Sequence, residues 1–146
     1  MEGQGFKKLK AWQHADDLAS AMFHVAQALP GQHRWLASQI ARAAVSVPAN
    51  IAGGYGRGSL GDYLRFLDIA RGSLSETEYY IHFLAKEDLV DDATEKQLAL
   101  CHAEAGRLLF GLWRSLKAKL PETWDHVGST SQIRELSLDS YEVDDE

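Results

Sequence analysis

The side chains best placed to do chemistry in this sequence are cationic. Between residues 34 and 71 stand Arg34, Arg42, Arg57, Arg65 and Arg71 against only Asp62 and Asp68, and Lys7, Lys8 and Lys10 crowd the N-terminal segment. A guanidinium pairs bidentately with phosphate or carboxylate, and an ammonium acts toward phosphate as a point charge. Lys7, Lys8, Lys10, Arg42, Arg57, Arg65 and Arg71 therefore form a candidate nucleic-acid-contacting set, with an ordinary solvated face as the plain alternative. Arg57 lies inside Gly53-Gly54-Tyr55-Gly56-Arg57-Gly58. Such a run could turn its amides toward phosphate, but it follows a helical pattern rather than a strand, and no Gly-Lys-Ser/Thr comes after it. It reads instead as a tight interhelical connector with positions at φ > 0. On that turn Arg57 would meet a phosphate or form an ion pair between helices or subunits.

Other chemistries lack their residues. No Glu is followed by His three positions later, as a di-iron bundle requires; Glu78 and His82 are four apart, a single pair without a second. His14, His24, His33, His82, His102 and His126 form no HxxxH or HExxH pair. No Arg precedes a His with four to six residues between them, which argues against a helical ribonuclease of that type, and no GxSxG elbow is present. Cys101 stands alone on an apolar stripe, where a buried structural thiol is expected, and it excludes a disulfide framework. We expect no catalytic residues, metal or cofactor.

The formal charge of −6 is unevenly placed. Residues 121–146 hold eight acidic side chains against Arg134, a balance of −7, so the first 120 residues carry +1. We expect one domain over 1–120 and an acidic, flexible tail over 121–146 opened by Pro121. No apolar run is long enough for a membrane span, and MEGQGFKKLKAWQH has no apolar h-region, so a cytoplasmic protein is expected.

The elements that must carry these residues follow from periodicity. Leu9, Trp12, Ala15, Leu18, Met22, Val25 and Leu29 recur at spacings of three and four, one face of a helix that Pro30-Gly31 ends. A second helix runs from about His33 to Ala52 on Leu36, Ile40, Ala43, Val47 and Ile51, with a kink or break expected at Pro48. Ser59 and Asp62 resemble a capping box opening a third helix to about Lys86, whose stripe includes Tyr63, Phe66, Leu67, Ala70, Leu74, Thr77, Ile81 and Leu84. Asp91 or Asp92 caps a fourth, built on Leu98, Cys101, Ala105, Leu108, Leu112 and Leu116. No segment alternates as a strand does. The fold class is all-α: an antiparallel up-down-up-down four-helix bundle. Gly106, Leu109, Phe110 and Trp113 fall beside the fourth stripe, and Tyr79, Tyr80 and Phe83 widen the third. Two apolar faces on one helix leave one uncovered unless a sister copy shields it, so an oligomer is expected through Tyr79, Tyr80, Phe83, Gly106, Phe110 and Trp113.

One family shares these features in order. Leu9-Lys10-Ala11-Trp12-Gln13, Leu29-Pro30, the run from Gln39 through Ala52, Gly54-Tyr55-Gly56-Arg57 and the run from Tyr63 to Glu76 resemble the four-helix bundle proteins related to those encoded in intervening sequences of bacterial 23S ribosomal RNA genes. The resemblance covers roughly residues 6–120, and Asn50, Gly54, Tyr55, Gly56, Arg57 and Glu76 match the family motif. It implies a bundle assembled into a closed ring, a homopentamer. It is also similar to the accessory bundle proteins of diversity-generating retroelements, which implies RNA or a reverse transcriptase as partner and a non-enzymatic accessory role. A protein–protein scaffold without nucleic-acid binding is the alternative. One departure is Gly53, where many relatives carry Glu; it removes a charge beside Arg57.

Overall fold

Each of the four periodic segments is a helix in the computed structural model, which describes residues 5–121. A 3₁₀ turn over Gly5–Lys8 leads into α1 (Lys10–Ala28), a second 3₁₀ turn over Gly31–His33 leads into α2 (Arg34–Tyr55), and α3 (Leu60–Lys86) and α4 (Asp92–Lys117) follow. The described residues contain no strand. The expected tail lies, apart from Pro121, outside the described residues, as do His126 and Arg134.

The helices pack in a closed cycle, α1 on α2 and α4, α3 on α2 and α4. One core joins them: Leu18 and Met22 of α1, Ile40 and Ile51 of α2, Leu67 and Leu84 of α3, and Leu112 and Leu116 of α4 are all fully buried. At about 1.5–3 kcal/mol for each large apolar side chain removed from water, burial of these stripes is what holds helices that would be marginal alone. The caps act locally. The Ser59 hydroxyl accepts the Asp62 amide at 3.3 Å, and an Asp91 carboxylate oxygen accepts the Thr94 amide at 2.7 Å. Asp62 turns its carboxylate to Arg65 at 3.5 Å.

The structure differs from the sequence expectations at four places, at Pro48 only in that no break occurs. Pro48 neither breaks nor ends α2, which runs through it to Tyr55. The proline is buried, and packing of α2 against two neighbours outweighs the one backbone donor it removes. The glycine run is not wholly a connector: Gly53, Gly54 and Tyr55 form the last turn of α2, and Gly5 is the only described glycine at φ > 0. Gly54 is required instead by proximity, since a Cβ there would sit 2.9 Å from the Phe66 Cβ and 3.2 Å from the Tyr63 carbonyl oxygen. Leu109 is 1% exposed and belongs to the core, whereas Cys101 is only half-buried.

Candidate functional site, a basic end lined with aromatic rings

The start of the chain and the α2–α3 turn meet at one end of the bundle. The Lys8 ammonium lies over the Tyr55 ring, 5.7 Å from its centroid, and Tyr55 packs edge-on to Tyr63 at 6.1 Å. The Arg57 guanidinium lies 5.0 Å from the Phe66 centroid and that of Arg65 5.1 Å from the same ring. A ring face attracts a cation without neutralising it, which fixes where these side chains lie; the Arg65 guanidinium also faces Asp62 at 3.5 Å. Phe66 also accounts for Gly53: a Cβ there would come within 3.3 Å of the ring. Arg57 therefore rests on an aromatic face where many relatives are expected to offer a carboxylate. Lys7 is exposed in the same 3₁₀ turn, its carbonyl accepting the Gln13 amide at 2.9 Å, and Lys10 is exposed at the start of α1.

The remaining two arginines of the candidate set sit elsewhere. Arg71 lies between α3 and α4, its guanidinium 4.4 Å from the Trp113 centroid and 5.7 Å from that of Phe110, with Asp68 3.6 Å away. The Trp113 indole N–H donates to Asp68 at 2.9 Å, and the Lys117 ammonium covers the same indole at 5.7 Å. Arg42 is exposed midway along α2, about 20 Å of helix from Tyr55 at 1.5 Å per residue. The structure thus gathers Lys7, Lys8, Lys10, Arg57 and Arg65, seats Arg71 in an interhelical contact, and leaves Arg42 apart.

The far end of α3 has the opposite character. Glu87, Asp88, Asp91, Asp92 and Glu95 cluster around the α3–α4 connection against Lys86 and Lys96. The 27 residues of α3 separate this end from the α2–α3 turn by about 40 Å. Hydrogen bonds with Thr94 hold the Asp91 carboxyl below its ordinary pKa, and the hydrogen bond with Arg107 does the same for Glu104.

Of the residues expected at an oligomer face, Tyr79 is 56% and Phe110 46% exposed. Tyr80, Phe83, Gly106 and Trp113 are half-buried. Tyr79 stacks on Phe83 at 6.1 Å, and Phe110 on Trp113 at 5.9 Å. Trp35 at 63% and Leu100 at 67% are more exposed than either, and periodicity had not singled them out. Asn50 serves an interhelical network: its amide donates to the Ser46 carbonyl at 2.7 Å and hydroxyl at 2.9 Å, and that hydroxyl bonds Ser73 of α3 at 2.9 Å. Glu76, of the same motif, is exposed. Glu78 pairs not with His82 but with His102 of α4, at 3.6 Å, while the other His102 ring nitrogen meets the Leu74 carbonyl at 2.9 Å. A contact between residues this far apart in sequence leaves no spacing signal. Among the described residues no three His, Cys, Asp or Glu side chains group as metal ligands, and no helix is long and apolar enough to cross a membrane.

Comparison with known proteins places this geometry in context. Residues 7–111 match the family model for the 23S rRNA-intervening sequence protein. Among solved structures, a protein of unknown function from the S23 ribosomal protein family of Bacteroides thetaiotaomicron superposes with a TM-score of 0.67 at 21% identity, covering 71% of this chain and 95% of its own. No curated protein matches.

Proposed function

The chain belongs to the 23S rRNA-intervening sequence protein family, and from that premise we propose that it is a non-enzymatic, RNA- or ribonucleoprotein-associated accessory protein of the cytoplasm. The observation that carries this reading is the set of Lys8, Arg57 and Arg65 mounted on the Tyr55 and Phe66 rings at one end of the bundle. Cations held over aromatic faces at fixed spacing suit a phosphate backbone. A reverse transcriptase carrying its RNA is one ribonucleoprotein that such a surface would serve.

The proposed frame is an antiparallel, up-down-up-down bundle. Its support is the pairing of Ser46 with Ser73 and of Gly54 with Tyr63 and Phe66, together with that of His102 with Leu74 and of Trp113 with Asp68. We further infer a homo-oligomeric ring, a pentamer in the family's manner, closed over the exposed rings of Tyr79 and Phe110. That same face favours a second reading, a scaffold for another protein.

Filter binding of a structured RNA across a salt series tests the proposal. Three phosphate contacts give a log–log salt slope of about −2 to −3, and absence of binding at ~50 mM salt would overturn it. Retention of a protein partner after nuclease treatment would favour the scaffold. Light scattering tests the ring, and a monomer at high concentration would exclude it.

A further inference from the structure

Besides the stripes that meet in the core, α2 and α3 each carry a second stripe that faces outward. On α2 it is Trp35, Ser38, Arg42, Val45 and Ala49; on α3 it is Ile69, Gly72, Glu76, Tyr79 and Phe83. Both step by three, four, three and four residues, the spacing that keeps a seam in line along a partner helix. Every member is exposed except Phe83, which is half-buried. Trp35 is 63%, Val45 48%, Ile69 44% and Tyr79 56% exposed. The outward face of a surface helix is ordinarily charged and polar. Here each seam holds a single charge, and it stands at the centre: Arg42 on α2 and Glu76 on α3. Neither takes part in an ion pair among the described residues.

We propose that the α2 seam of one copy packs along the α3 seam of the next, with Arg42 opposite Glu76 at the middle of the contact. A second copy is the occupant because one chain supplies both halves. The spacings match, each seam is about 21 Å long at 1.5 Å per residue, and the central charges are opposite. Pairing α2 with α2 would set Arg42 against Arg42, and pairing α3 with α3 would set Glu76 against Glu76, so the charges select the mixed pairing. The two seams of one chain do not cover each other: α2 and α3 meet through Ser46 and Ser73 and through Gly54 and Phe66, which leaves both seams open to solvent.

A contact between two different faces leaves one seam of each kind open until the last copy meets the first. The direction of packing rests on the ring and antiparallel readings above; the contact itself does not. Copies related by rotation about an axis along the bundle run α2 against α3 in opposite directions. That sets Trp35 opposite Phe83, Ser38 opposite Tyr79, Val45 opposite Gly72 and Ala49 opposite Ile69, so that Ser38, Gly72 and Ala49 make room for larger partners.

Charge reversal tests the contact. Arg42→Glu and Glu76→Arg each set like charges at its centre, and each alone should weaken self-association about tenfold at ~50 mM salt, read by light scattering over a dilution series. Mixed in equal amounts, the two variants meet opposite charges only in each other, and the mixture should regain most of the lost affinity. A pairing inside one chain could not produce that recovery. Circular dichroism and urea midpoints establish that each variant stays folded. Single variants that assemble as the parent chain does, or a mixture as dissociated as its components, overturn the contact and leave the ring reading standing. Recovery in the mixture with a parent mass of two copies upholds the contact and removes the ring. A parent chain that stays monomeric at high concentration overturns both. Direction is read separately, in a Cys101→Ser background. A Val45→Cys chain should form a disulfide about tenfold faster with a Gly72→Cys chain than with a Tyr79→Cys chain, and the reverse order overturns the opposed direction.

Discussion

Gly54 and Phe66 bring the backbones of α2 and α3 into contact, leaving no room for even a methyl group: a Cβ at Gly54 would lie 2.9 Å from that of Phe66. Gly54→Ala should therefore destabilise by about 1–3 kcal/mol through backbone displacement, despite a helix-propensity gain of up to ~1 kcal/mol. Gly72 lies within α3 with nothing within 4 Å of its would-be Cβ. Gly72→Ala should stabilise by roughly 0.5–1 kcal/mol. Urea midpoints of the two variants should move in opposite directions.

The caps separate by their response to pH. Ser59→Ala removes a neutral acceptor and should cost about 0.5–2 kcal/mol at any pH. Asp91 has a folded-state pKa lowered from its ordinary 3.8 by its hydrogen bonds with Thr94. Its contribution is therefore complete above the unfolded-state value and is lost as pH falls through the lower folded value. Asp91→Asn keeps a capping oxygen that does not titrate. The stability difference between the two chains should stay constant from neutral pH to about pH 5 and change only below it, read by denaturation at stepped pH.

Asp68 serves two partners, the Trp113 indole and the Arg71 guanidinium. Asp68→Ala should lose about 0.5–1.5 kcal/mol, the usual net value of one hydrogen bond. Asp68→Asn retains an acceptor for the indole and should recover most of that loss, because the exposed ion pair with Arg71 contributes little. Chemical denaturation of the two variants decides between indole and guanidinium as the partner that matters.

The basic residues should divide in the salt dependence of RNA binding. Arg57→Gln and Arg65→Gln should each reduce the log–log slope by roughly 0.7–0.9. Arg42→Gln, distant along α2, and Arg71→Gln, seated against Trp113 between α3 and α4 rather than on the Phe66 ring, should leave the slope nearly unchanged. Slopes from filter binding of the four variants provide the comparison.

The helices were legible in the sequence because burial imposes its own period. Leu18, Met22, Ile40, Ile51, Leu67 and Leu112 are all both on an apolar stripe and in the core. Ser59 and Asp91 were legible as caps because an oxygen at that position satisfies an otherwise orphaned amide. At Pro48 the break that local cost allows does not occur, because the helix runs through a proline packed in the core. Gly54 misled for a related reason: glycine signals both a turn and a close approach, and only the neighbouring helix distinguishes them. At the candidate site the cationic residues were visible as composition, but their division was not. That Arg57 and Arg65 share the Phe66 ring while Arg71 turns to Trp113 depends on helix rotation about the bundle axis, which spacing alone does not fix.

Within the described bundle, the cations around Arg57 and the carboxylates around Asp91 are held apart by the length of α3, a separation of charge along its long axis. Near a polyanion such a charge separation produces a torque before contact, acting within about a Debye length and so over a longer range at low ionic strength. At low ionic strength the basic end of the bundle would then tend to lead the approach, with no dedicated surface needed to orient it.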